Sequence, residues 1–266
     1  MSMSIGCVGC GNMGGAILAG LAASSLDCTL YGHTRTAARM APLEAAGVTR
    51  LDSARELARK ARYVVMAVKP YQIEALLAEM APEFGPDTVV ISVAAGISIA
   101  RLQAAVAGRC PVVRCMPNTP ALVGKGVFAL CFDDKVPAES KEDILRFFSQ
   151  LGVCLELPES RFTAFSALIG AGPAYVFGMM QGLVQAGVTL GLGRKDCRDM
   201  VAALFEGSAV MAARSDTPLM ELRDQVCSPG GLTIAGVNVL DRAGFSGLLV
   251  DAVLAADERG REMEKE

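Results

Sequence analysis

The most constraining stretch of this chain is its first, "SIGCVGCGNMGGAILAG" (4–20). An apolar run ends in Gly9-Cys10-Gly11-Asn12-Met13-Gly14, a G-x-G-x-x-G pattern, and an apolar helical pattern begins at once. In such a pattern the first glycine permits a tight turn and the second lets backbone approach a pyrophosphate. The third lets the helix pack close to the strand. The N–H groups and positive dipole end of that helix add an anion site made of backbone alone. The bare pattern is common. With a strand before it, a helix after it and a second strand following, it points to dinucleotide binding.

The rest of the first half keeps that rhythm. Apolar strand-like runs at 4–9, 28–32, 63–68, 88–95 and 111–116 alternate with helical stretches at 12–24, 36–47, 53–61 and 70–84. The runs are continuously apolar, as strands are when both faces of a sheet are covered. This predicts an α/β fold, a Rossmann-type doubly wound parallel sheet built from right-handed crossovers. Runs at 126–132 and 152–158, around a helix near 139–150, add edge strands. After about Glu159 the strand signal stops and the pattern is all-helical. The expected division is therefore a dinucleotide-binding domain over 1–158 and a helical domain over 159–266.

In the second half, Thr217 is a candidate cap with Pro218 in the first turn, and Ser246 a candidate cap for the last helix. Phe162–Gly193 holds 32 residues without a charge, longer than the roughly 20 a membrane-spanning helix needs. Pro173, two glutamines and seven glycines interrupt it, and no basic flank marks an inner end. Helices buried on nearly every side, within the domain or between subunits, account for it better.

Composition excludes several classes. A net charge of −3 over 266 residues gives no field for nucleic acid or an anionic membrane surface. Nine cysteines, an odd number, lie mostly in apolar stretches. Cys7 and Cys10 form C-x-x-C, but no second pair completes a metal set and His33 is the sole histidine. Buried free thiols in a reducing cytoplasm fit, and no metal is expected. The N-terminus has no basic flank and turns glycine-rich too soon for a signal peptide.

The position about twenty residues past the glycine motif separates NAD from NADP. Here "LYGHTRTAAR" places Thr34, Arg35 and, one turn on, Arg39 there, with no Asp or Glu. A hydroxyl and two guanidinium groups suit a 2′-phosphate, so NADPH is the expected cofactor, with NADH left open. At two further strand ends, Lys69 and Pro70 of "AVKP" and Ala94, Ala95 and Gly96 of "SVAAG" face the same carboxyl edge. Small residues there leave room for a nicotinamide ring.

Three later segments go beyond generic dinucleotide binding: "MPNTP" (116–120), "GAGPAY" (170–175) and "SPGGLT" (228–233). Taken in order with the glycine loop, "AVKP" and "SVAAG", they make the whole chain resemble the Δ1-pyrroline-5-carboxylate reductases. The resemblance implies reduction of L-1-pyrroline-5-carboxylate to L-proline with NAD(P)H, the last step of proline synthesis. It further implies a helical second domain that interlocks with a partner's to form a homodimer, which in some members assembles into decamers.

By the same resemblance Cys10, Asn12, Met13, Thr34, Val68, Lys69 and Ala95 lie toward the cofactor, and Asn118 by the nicotinamide. Glu159 and Ser228 lie toward the substrate, though Glu159 serves equally well as an interdomain hinge carboxylate. Pro229 stiffens the bend, and backbone N–H groups of Gly230, Gly231 and Leu232 hold the substrate carboxylate without a charged side chain. Thr233, on the first turn of the next helix, bonds the ring nitrogen and is the catalytic candidate. Three departures stand out: Gln225 where Asn is frequent, Leu232 where Ala or Thr is common, and Ala54 in place of Asn near the adenosine.

Two rival readings stay open. A 3-hydroxyacid dehydrogenase-like reductase would use a lysine in the substrate region, yet none lies between Lys141 and Lys195 or between Lys195 and Lys265. A non-catalytic NADPH-binding regulator would need only the first half.

Overall fold

The computed structural model describes residues 3–263. It holds two compact units: the chain through Gly170 together with the stretch from Asp257 onward, and Ala171–Ala256.

The first unit alternates strand and helix. In order come β1 (Met3–Val8), α1 (Asn12–Ala22), β2 (Cys28–His33), α2 (Ala41–Ala45), β3 (Thr49–Arg50) and α3 (Ala54–Lys60). Then follow β4 (Tyr63–Met66), α4 (Pro70–Met80), β5 (Val89–Ser92), α5 (Ile99–Ala105) and β6 (Val112–Met116). β7 (Gly126–Phe132), α6 (Ala138–Ser149), β8 (Gly152–Glu156) and α7 (Phe162–Phe165) complete it. The eight strands form one sheet in the order β3-β2-β1-β4-β5-β6-β7-β8. Pairing is parallel from β3 to β6; β7 runs antiparallel to β6, and β8 parallel to β7. The winding reverses between β1 and β4, which makes their carboxyl ends the place for a ligand.

Side-chain alternation sorts each strand into two cores. Ile5, Cys7, Tyr63, Val65, Ile91 and Val113 pack on one face with Ile17, Leu18 and Leu21 of α1 and with Phe147 and Phe148 of α6. Val64, Met66, Val90 and Val112 pack on the other with Leu57, Ile73, Leu77 and Leu102. Each such fully buried Leu or Ile contributes about 1.5–3 kcal/mol relative to an exposed one. This double coverage is why the strands read as unbroken apolar runs.

Two elements lie outside the sequence-based expectation, the two-residue β3 and the seven-residue α5, capped by Ser98 Oγ accepting from Arg101 N–H at 3.2 Å. The helix expected over 36–47 is instead a 3₁₀ turn at Ala37–Arg39 followed by α2, with Pro42 at the start of the second piece.

The second unit contains α8 (Gly172–Thr189), α9 (Arg194–Ala213), α10 (Leu219–Gln225), α11 (Leu232–Arg242) and the first part of α12 (Phe245–Met263). Among the described residues no strand follows Glu156. Two expected caps are corrected. Thr217 does not cap α10, because Pro218 takes the extended capping position. Ser246 does not cap α12, which already begins at Phe245.

The expectation of helices buried on nearly every side is also corrected for the single chain. α8 buries only Val184, and α10, α11 and α12 bury no residue. α8 and α9 meet through Val184, Cys197 and Val201, and a Cβ added at Gly187 would stand 2.6 Å from Cys197 Sγ. At Gly178 and Gly182 a Cβ would meet nothing within 4 Å. Phe177, Leu204, Leu248 and Leu254 stay more than half exposed. Glu159–Thr189 has the length and composition of a membrane-crossing helix, and a π-helical turn at Ser166–Gly170 interrupts it. An apolar surface of this extent marks an interface.

The β1–α1 turn yields a test. A Cβ at Gly14 would overlap the Gly9 carbonyl oxygen, whereas one at Gly15 would sit 3.8 Å from the Cys10 carbonyl. Gly14→Ala is expected to lower stability by about 2 kcal/mol or more, and Gly15→Ala to be neutral or stabilising by up to about 1 kcal/mol through helix propensity. Thermal denaturation of the two variants checks the contrast; equal melting temperatures would contradict it.

Candidate active site

The glycine turn sets the floor of a cavity of ≈ 1120 Å³, which lies wholly in the first unit. Gly9 adopts φ +97°, a left-handed conformation that a side chain would strain. Its N–H donates to the His33 carbonyl at 2.8 Å, and its own carbonyl accepts from Gly11 N–H at 2.8 Å. Gly11 then caps α1 without a side chain, and the first turn of α1 carries no acidic residue. The opening N–H groups of α1, from Asn12 to Gly14, have no acceptor within the helix. The result is a cradle of donors for a phosphate group.

One wall of the cavity carries Thr34, Arg35, Thr36 and Arg39. Arg39 reaches back over the turn: a Cβ at Gly11 would be 3.0 Å from its Nη1. His33 lines the same side, its Nδ1 3.0 Å from the Leu51 carbonyl. Asp52, Ser53 and Ala54 close this end. Opposite lie Val68, Lys69 and Pro70, where Lys69 takes the extended capping position of α4 and Pro70 its first helical one. Val93, Ala94 and Ala95, past β5, complete the far wall.

Of the residues predicted toward the cofactor, Gly9, Gly11, Asn12, Met13, Thr34, Arg35, Val68, Lys69, Pro70 and Ala95 share this cavity. Gly14 lies beneath it, where the close approach is made. Cys10 points inward and is buried, its Sγ 3.6 Å from the His33 carbonyl oxygen. Its hydrogen bond to Cys7, together with burial, holds the Cys7 thiol well above its ordinary pKa. The same hydrogen bond lowers the Cys10 thiol from its ordinary pKa, but the sulfur is buried away from the cavity lining, so Cys10 offers the cavity its backbone and not its side chain.

Asn118 is buried and outside the cavity lining. Its Oδ1 accepts from Val127 N–H at 2.9 Å and its Nδ2 donates to the Ile169 carbonyl at 3.3 Å. The side chain thus stitches the "MPNTP" loop to β7 and to the helical turn before Gly170. Glu159 also turns inward within the first unit: Oε1 accepts from Arg114 Nη1 at 2.9 Å and from Ile99 N–H at 2.8 Å. Sequence reasoning did not single out Arg114, Thr36 or Asp52; the first lies inside an apolar strand, where it looked like any core position.

In the second unit, Ser228–Gly231 forms the bend before α11. Gly230 adopts φ +67°, and Gly231 is extended and caps the helix. The Gly231 N–H donates to the Ser228 carbonyl at 3.0 Å and so closes the turn itself. The donors left by helix geometry are those of the first turn of α11, Leu232, Thr233 and Ile234. Leu232 and Thr233 are exposed, and no acidic residue lies in that turn. An anion can be held there by backbone alone.

Comparison with known proteins covers both halves of the chain. The family model described as pyrroline-5-carboxylate reductase dimerisation matches residues 159–263, and that for NADP oxidoreductase coenzyme F420-dependent proteins matches residues 4–96. Pyrroline-5-carboxylate reductase of Escherichia coli (strain K12) is 34% identical over 268 residues, covering 100% of both chains. The crystal structure of Plasmodium falciparum pyrroline carboxylate reductase with NADP bound superposes with a TM-score of 0.86, at 31% identity and covering 98% of each chain. The structure of a pyrroline-5-carboxylate reductase from Coxiella burnetii gives 0.91, at 29% identity and 99% of each chain. A glycine cradle walled by two arginines, a helical half with an unpartnered apolar surface and likeness from end to end assign this chain to one group: it belongs to the pyrroline-5-carboxylate reductase family.

Proposed function

We propose that the chain reduces L-1-pyrroline-5-carboxylate to L-proline with NADPH, the last step of proline synthesis, as a cytoplasmic homodimer. The observation that carries this reading is the Ser228–Thr233 bend, an uncharged anion site at the start of a helix, in a chain that also holds a dinucleotide cradle.

The donor set fits the cofactor. N–H groups of Asn12 and Met13 face the pyrophosphate, and Thr34, Arg35 and Arg39 meet the 2′-phosphate with a hydroxyl and two permanent positive charges. Val68, Lys69, Pro70 and Ala95 flank the nicotinamide half, and Asn118 braces the neighbouring loop. When bound, NADPH supplies the hydride for the C=N carbon.

The substrate carboxylate is held by N–H groups at the start of α11, with Ser228 and the stiff Pro229–Gly230–Gly231 bend shaping the approach. Leu232, 95% exposed in the chain, narrows the space around the ring. The Thr233 hydroxyl accepts a hydrogen bond from the protonated ring nitrogen and keeps its proton in place. A cyclic iminium is already a strong electrophile, so the protein needs no strong acid; its task is orientation. Division at 158/159 then separates the cofactor half from the half that carries substrate and dimer contacts. The apolar surface of the helical unit meets a sister subunit, not lipid or nucleic acid.

Mixing the protein with NADPH and the cyclic imine, and following loss of reduced-nicotinamide absorbance together with proline formation, tests the activity; turnover of 3-oxoacids in its place would refute it. Thr233→Ala is expected to lower kcat at least tenfold, of the order of one charge-assisted hydrogen bond, with NADPH affinity unchanged. Arg35→Ala and Arg39→Ala are each expected to raise KM for NADPH about tenfold while barely changing that for NADH. Steady-state kinetics with both cofactors decides. Gly178→Leu with Gly182→Leu fills space that is open within the chain and is expected to leave the fold intact but dissociate the dimer, read by sedimentation.

A further inference from the structure

We infer that the Arg114–Glu159 ion pair is a positioning device for the nicotinamide end of the cavity, and that Glu159 acts through it rather than as a substrate ligand. The inference rests on the reading of that cavity as the NADPH seat.

The pair joins three distant pieces of the first unit. Arg114 lies on β6, opposite Ser92 of β5, and its side chain is only 7% exposed. One carboxylate oxygen of Glu159, Oε1, receives both Arg114 Nη1 at 2.9 Å and the N–H of Ile99 at 2.8 Å. The guanidinium also stands 4.7 Å from the centroid of the Phe162 ring. Ile99 is the first residue of α5, so Glu159 holds the far end of the loop that leaves β5.

That loop carries Val93, Ala94 and Ala95, the wall of the cavity beyond β5. At its near end Ser92 Oγ accepts from Ala94 N–H at 3.3 Å. In its middle, Gly96 is left-handed at φ +74° and has no atom within 4 Å of where a side chain would begin. The loop is therefore braced at its two ends, and the brace at the far end is the carboxylate. Charge explains why an ion pair serves here. A nearly buried guanidinium is costly unless it is paired, so Arg114 keeps Glu159 fixed, and Glu159 keeps Ile99 fixed. Oε1 is already committed to Arg114 and to Ile99, so this oxygen of the carboxylate is held by the first unit itself.

The test uses Arg114→Met, Glu159→Gln and the double variant, which removes both charges of the pair and carries the experiment if a single variant folds poorly. NADPH affinity is titrated by reduced-nicotinamide fluorescence. Adenosine 2′,5′-bisphosphate, which has no nicotinamide, is titrated by competition, and KM for the cyclic imine is measured alongside. Each single variant is expected to bind NADPH about tenfold more weakly and to lose kcat. Affinity for the adenosine fragment and KM for the imine should stay within about twofold of the unmodified protein, and the double variant should be no worse than the poorer single one. A rise in imine KM with NADPH affinity intact would make Glu159 a ligand and overturn the inference. Equal loss of both nucleotides, or additive effects in the double variant, would overturn it as well. Failure of the unmodified protein to bind NADPH would instead remove the cavity reading on which it rests.

Discussion

Everything in the first unit depends on how closely α1 can approach the end of β1. Gly14 sits where any side chain would overlap the Gly9 carbonyl, and Gly9 sits in a conformation that a side chain would strain. Only this contact lets Ile17, Leu18 and Leu21 reach the sheet while the helix start stays open toward the cavity. A bulkier turn would tilt the helix away, and the same movement would remove core packing and scatter the N–H groups that open toward the cavity. Stability and cofactor binding are thus two consequences of one short distance.

The sequence made the fold legible wherever burial is two-sided. A strand such as Tyr63–Met66 is buried at every position, so its apolar run identifies it without help from turns or partners. β3 escaped because its two residues are exposed and leave no pattern to find. α5 escaped for the opposite reason: Ile99–Ala105 continues the small, apolar composition of the strand before it, and only Ser98 marks the boundary. The misplaced caps at Thr217 and Ser246 share a cause. A hydroxyl near a helix start is a good signal, but a neighbouring Pro218 or Gly244 fixes the backbone first and decides where the helix begins.

The site divides along the same line. Backbone geometry was readable, because glycine and proline dictate it within a few residues. The cradle at 9–14 and the bend at 228–231 are of this kind, although the turn at the latter uses the Gly231 N–H for itself and moves the open donors to Leu232 and Thr233. Long-range side-chain contacts were not readable. Glu159 finds its partners 45 and 60 residues away, and Asn118 finds Ile169 across 51. No local pattern separates a carboxylate that meets a ligand from one that holds a loop.

The helical half raises a different physical question. α10, α11 and α12 bury no residue within the chain, and Leu232, Leu248 and Leu254 face outward. Helices that bury so little gain little packing energy within the chain, and isolated helices as short as α10 and α11 are marginal in water. Yet a carboxylate can be gripped by backbone N–H groups only if the helix that presents them is rigid, since ordering it on binding would cancel the gain. The missing rigidity has to come from the surface left exposed. Dimerisation, for which the family's helical domain is described, is therefore first a condition of rigidity: the apolar faces around α11 must be covered before its first turn is held in one place.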